Sequence, residues 1–170
     1  MTLDTLLALT ILVMTFGLTA PNPATPMQLQ AAASLAEALQ TAHHDALSSA
    51  NEASVIVDLT QPQAVRIIEG DGLPSRLTSS TSASRSARTL SASASVSFAA
   101  TPSVATQIAF VALPNGNIVM GTLSQMSVTS DPDPTCSKVP TTVVSFSAVS
   151  VSVTCATGAI STSITWLPTS

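Results

Sequence analysis

The start of the chain limits what the rest can become. It opens MTLDTLLALTILVMTFGLTAPNPATP, where residues 6–20 are almost all apolar, no lysine or arginine precedes them, and prolines follow at Pro21, Pro23 and Pro26. A secretory signal needs a basic n-region and a small-x-small cleavage site, whereas Leu18-Thr19-Ala20 runs into Pro21, a poor residue after a cut. A buried core helix would pair its apolar stripe with a wet face, and this segment has almost none. A membrane helix needs roughly 20 apolar residues to cross about 30 Å of hydrocarbon, and residues 3–20, at about 1.5 Å each, give a little less, enough to span but only just. The membrane-spanning reading leads.

Behind the prolines the period changes. Leu29, Ala32, Leu35, Ala36, Leu39, Ala42, Ala46 and Ala50 recur at helical spacing, with Gln30, Ser34, Glu37, Thr41, His44 and Ser48 opposite. The spacing predicts an amphipathic helix over 27–50, with Pro26 in its first turn and Asn51 as its stop. Most of the stripe is alanine, so a partner can approach closely.

From residue 53 the period drops to two. SVIVDL (54–59) and AVRIIE (64–69) read as strands around Gln61-Pro62-Gln63, closed by a turn at Gly70-Asp71-Gly72. Residues 73–95 are serine-rich and hold Arg76, Arg85 and Arg88; they read as a mobile loop or ragged edge. TQIAFVAL (106–113), Pro114-Asn115-Gly116 and NIVMGTL (117–123) form a hairpin signal. TTVVSFSAVSVSVTC (141–155) reads as one long strand, returned by AISTSITWL (159–167) after Ala156-Thr157-Gly158. The expected fold class is α+β, one N-terminal helix packed on an antiparallel sheet.

The chemistry-bearing residues are few. Only 8% of residues are charged and the net charge is -4, with no tyrosine and a single tryptophan, Trp166, so neither a basic track nor a stacking platform for nucleic acid is present. His43 and His44, being adjacent on a helix, point different ways and read as a helix-surface pair, with His43 at the edge of the stripe. Asp131 and Asp133 lie in a proline-rich turn without the ligand pattern of a calcium loop. No phosphate loop or serine elbow occurs. An enzyme is not expected, nor a metal or a cofactor. Cys136 and Cys155 could be reduced core thiols or half of a metal site, but an even pair in a domain outside the membrane reads best as a disulfide pinning the 131–140 loop to the penultimate strand.

Taken together, MTLDTLLALTILV resembles the mature N-terminus of type IV pilins and type II secretion pseudopilins, and LQAAASLAEALQTAHHDALSSANEASVIVDL is similar to the helix-to-strand segment of the GspH/FimT minor pseudopilins. IAFVALPNGNI and VSVSVTCATGAISTSI resemble that family's late strand-turn-strand units. The resemblance implies a pilin-like fold with a transmembrane segment over 1–24 and a periplasmic domain over 25–170. It implies a subunit of a type II secretion pseudopilus, stored in the bacterial inner membrane; the alternatives are a minor type IV pilin in pilus assembly or DNA uptake and, more remotely, a tethered adhesin. The partners it implies are other pseudopilins or pilins, the inner-membrane assembly platform, a prepilin peptidase and membrane lipid. Met1 would then be the N-methylated mature terminus, its basic leader removed by processing. One departure stands out: the family's glutamate at the fifth position is Thr5 here, so Asp4 is the acid left to pair with a neighbour's amine during assembly.

Overall fold

The computed structural model describes residues 24–79, 84–128 and 136–165. The proposed membrane segment lies outside them, and among the described residues no helix is long and apolar enough to cross a membrane.

One long helix organises the domain. α1 spans Pro26–Ser49 and starts from a capping box: Gln28 N–H donates to the Thr25 hydroxyl at 3.3 Å, while Thr25 N–H donates to the Gln28 side-chain carbonyl at 3.1 Å. Two orphan donors of the first turn are thereby satisfied, and Pro26 has no N–H to lose. The helix ends at Ala50, which takes a left-handed conformation one residue before the expected stop at Asn51. Its buried residues are Ala31, Ala32, Leu35, Ala38, Leu39, Ala42 and Ala46. Leu29 and Ala50, placed on the stripe by periodicity, are exposed, whereas Ala31 and Ala38 are fully buried. The stripe is wider than a single packing face requires because two separate sheets cover it.

That second sheet corrects the expectation of one. The first sheet has the order β3-β2-β1-β6-β7, built from β1 (Ala53–Asp58), β2 (Val65–Asp71), β3 (Ser84–Leu90), β6 (Gln107–Ala112) and β7 (Ile118–Thr122). The second has the order β10-β9-β8-β4-β5, built from β4 (Ser95–Phe98), β5 (Thr101–Ser103), β8 (Thr141–Phe146), β9 (Val149–Thr154) and β10 (Ala159–Ile164). Every strand pairing is antiparallel. α1 packs on β1, β2 and β6 of the first sheet and on β8, β9 and β10 of the second, so it lies in the seam between them.

Burial along the strands follows from this arrangement. In β1 and β6 nearly every residue is buried, because Val55, Val57, Ile108 and Phe110 face α1 while Ile56 and Ala109 face a smaller cluster closed by Leu77 of α2 (Pro74–Ser79). Leu123 and Met126 of α3 (Leu123–Val128) pack against that cluster. A sheet covered on both sides loses its hydrophobic alternation. The second sheet is covered on one side, and β8 and β9 alternate cleanly: Val144, Phe146, Val149, Val151 and Val153 are buried, while Ser145, Ser150 and Ser152 lie partly open.

Two further expectations need correction and one is sharpened. Of the loop or ragged edge expected over 73–95, the described residues show the edge, since 74–79 form α2 and 84–90 form β3, an outer strand of the first sheet; β3 escaped notice as a strand because, polar on both faces, it has no apolar period. Gly70 and Asp71 belong to β2, and only Gly72 turns, at φ 85. The stretch 141–155 is two strands joined by Ser147-Ala148, with Ser147 at φ 58. That hairpin, like the one at Ala99-Ala100 (φ 48 and 66), is built without glycine or asparagine, the residues that usually mark such turns.

Cys136 and Cys155 form a disulfide with Cα atoms 5.5 Å apart, joining the segment before β8 to the end of β9. A thiol assay on the folded, unreduced protein should find no reactive cysteine, and replacing both by serine should cost about 3 kcal/mol by the loop-closure account. At Ala99-Ala100 the left-handed conformation costs an L residue roughly 1–2 kcal/mol. Replacing the pair by Asn-Gly should therefore raise stability by about 1 kcal/mol in denaturant titration, and a fall would show that the turn depends on its alanine methyls.

Candidate assembly surface

Of the residues singled out by sequence, Met1, Asp4, Thr5, Asp131 and Asp133 lie outside the described residues. The cysteines are bridged. The histidines do diverge: His44 is exposed, and His43, at the edge of the stripe, is half-buried with Nε2 3.0 Å from the Gly116 carbonyl oxygen. That contact ties the C-terminal third of α1 to the β6–β7 turn. Gly158, in the β9–β10 turn, completes the junction, since a Cβ there would fall 2.5 Å from both the Gly116 oxygen and His43 Nε2. With φ at 61, Gly158 also needs the conformational freedom of glycine. One turn from each sheet thus meets at a single histidine of the helix.

The serine-rich stretch supplies a second tie. Arg85 of β3 pairs with Asp45 of α1 and, at 2.8 Å, with Asp71 of β2; Arg88 pairs with Glu37 of α1 at 3.0 Å and lies 3.9 Å from Glu69 of β2. Each arginine therefore bridges the helix to the neighbouring strand. In a regular strand, residues three apart point to opposite faces. The register between β2 and β3 slips at Glu69/Gly70, leaving Arg85 as the extra residue, and this bulge lets both arginines reach the helix. Glu37 and Asp45 are eight residues apart, about 12 Å along a helix, and match an arginine spacing of about 10 Å on a strand. The Asp45 carboxylate holds the Arg85 guanidinium further above its ordinary range, in the charged form. All these groups are partly exposed, so the pairs set orientation more than they add stability.

The outward side of α1 remains. It exposes Met27, Gln30, Ala33, Gln40, Thr41, His44 and Leu47, and Glu37 is its one exposed charged residue. Met27 is 60% exposed and Leu47 51%, one near each end of the helix. A long helix face with small or uncharged side chains and an apolar residue toward each end suits packing against another helix. A groove of about 320 Å³ beside the disulfide is lined by Val119, Met120, Met126, Val139 and both cysteines, with Lys138 also in its wall. Among the described residues, no three His, Cys, Asp or Glu side chains gather to hold a metal.

Sequence reading missed the His43 contact and the arginine bridges. The bridges left a trace, in that three of the chain's five basic residues fall between residues 76 and 88 while α1 carries two acids two turns apart. The bulge that aligns them had no local signature.

Replacing His43 by alanine leaves the half-buried Gly116 carbonyl without its partner and should cost about 1–3 kcal/mol in thermal or denaturant unfolding. His44→Ala, on the exposed side, should stay within about 0.5 kcal/mol of the parent. Equal losses would mean that the His43 contact holds nothing. Compared with known protein families, with characterised proteins and with solved structures, the chain has no match.

Proposed function

We propose that this chain is a minor pseudopilin, a structural subunit of the periplasmic pseudopilus of a type II secretion system, held in the inner membrane by its apolar N-terminal segment. The observation that supports this reading best is the division of labour on α1. One side is buried between two sheets, and the other is a nearly uncharged face ready for a helical neighbour, downstream of an apolar stretch just long enough to span and a proline break. The sheets then form the globular part of the subunit, facing away from the packed helices.

The DNA-binding pilin reading is the weaker of the two. Arg85 and Arg88 are engaged by four carboxylates, and residues 141–170 contain no lysine or arginine. A surface of this kind offers phosphates little to bind.

The reading assigns Asp4 to assembly. An unpaired charge in hydrocarbon costs about 2.5–3.5 kcal/mol on insertion scales, so an aspartate near the start of the apolar segment favours the packing register that gives it an amine partner. Replacing Asp4 by asparagine should leave insertion into the inner membrane intact while lowering crosslinking to neighbouring subunits, and adding Thr5→Glu should restore it. Recovery of the full chain in the soluble fraction, without an N-methylated terminus, would overturn the assignment. Unchanged crosslinking in Asp4→Asn would show that the subunit enters the filament without this charge pair.

A further inference from the structure

Among the described residues the two sheets have four outer strands, and three are protected against pairing with another chain. β3 carries a bulge and two arginines, β5 is three residues long with Pro102 at its centre, and β7 is engaged at its start by the Cys155 carbonyl, which accepts from Ile118 N–H at 2.9 Å, before running directly into α3. Charges, proline, bulges and short length are the ordinary devices that blunt an edge. β10 has none of them. Its six residues contain no charge, proline or glycine, pair with β9 in unbroken register, and are exposed except for Ile160.

The sequence of this strand says what fits against it. Residues 160–164 read Ile-Ser-Thr-Ser-Ile, which is the same in both directions. Two such strands placed antiparallel about a two-fold axis through Thr162 oppose like with like: Thr162 meets its own copy, Ser161 meets Ser163, and Ile160 meets Ile164. Register with β9 puts Ile160, Thr162 and Ile164 opposite Val153, Val151 and Val149, on the face turned toward α1, and Ser161 and Ser163 on the outer face. Because the two-fold axis stands normal to the sheet, each face meets its equivalent. Matched β-branched and hydroxyl pairs are the stabilising unit of a sheet. Centring the pair on Ser161 would set Ile160 against Thr162 and leave Ile164, already 38% exposed, without an opposite number.

We propose that β10 is a self-pairing edge, by which a second copy of this chain joins antiparallel about Thr162 and merges two five-stranded sheets into one of ten strands. This goes beyond the membrane and helix contacts of the proposed function and does not depend on them. The contact is isologous, so it closes on itself and gives a dimer of the globular part, whatever the helices do.

The full chain, extracted in mild detergent, provides the test. Thr162→Cys should form a covalent homodimer under mild oxidation, bridged at position 162 of both copies, with a yield several-fold above that of Val104→Cys, a fully exposed position remote from β10. In the otherwise unaltered chain, protein mass determined by light scattering should be that of two copies. Thr162→Lys, which puts two like charges at the axis, should halve it. The proposal fails if the unaltered chain has the mass of one copy at the highest concentration reached, if Thr162→Cys crosslinks no better than Val104→Cys or captures a different protein, or if Thr162→Lys retains the mass of two copies.

Discussion

The contact between α1 and both sheets governs this domain. A single helix supplies the inner wall for each, and it can do so because five of its seven buried residues are alanine. Small side chains let β1, β2 and β6 approach on one flank and β8, β9 and β10 on the other without a bulky ridge forcing the sheets apart. Leu35 and Leu39 are the exceptions, the large side chains that fill the seam, each worth about 1.5–3 kcal/mol as transferred area. Neither sheet has an inner face without this helix, so its cap at Thr25, its pin at His43 and the arginines reaching over from β3 all serve to hold one object in register.

Much of this was legible in the sequence. The helix and its limits, the β1–β2 and β6–β7 hairpins, the return of β10 and the disulfide follow from period, turn residues and cysteine count, all of which act locally. What escaped was of two kinds. Turns at Ala99-Ala100 and Ser147-Ala148 use residues with no special preference for positive φ, so the strand pairing around them decides the backbone, not the residue itself. The division into two sheets depends on which strands meet across long separations. A buried alternating run such as Val149-Ser150-Val151-Ser152-Val153 looks the same in either sheet. Likewise, β3 has no apolar side to reveal it, and its identity comes from a ladder with β2 and from helix carboxylates 40 and 51 residues away.

The functional surface was legible to a different degree. The acid at Asp4 and the apolar run were read from composition and order, and they rest on the sequence alone. The outward face of α1 could be drawn from the same periodicity that gave its buried stripe, since one is the complement of the other. His43 could not, because nothing in its neighbours tells a solvated imidazole from one that reaches the carbonyl of Gly116, seventy-three positions on.

The order in which the chain visits its sheets has a kinetic side. The first sheet takes residues from 53–90 and 107–122, the second from 95–103 and 141–164, and the β4–β5 hairpin that belongs to the second is made between two visits to the first. β1 must wait for β6 to complete its ladder, and β4 must wait for β8, which begins nearly forty residues after β5 ends. Such interleaving raises the sequence separation of native contacts and slows their search. It also splits the two sheets in time: a chain grown to residue 128 already holds the whole first sheet with α1, α2 and α3, while the second sheet still lacks β8, β9 and β10. Until those last strands appear, one flank of α1 stays uncovered, an apolar stripe open to chaperones and proteases in an otherwise half-finished domain.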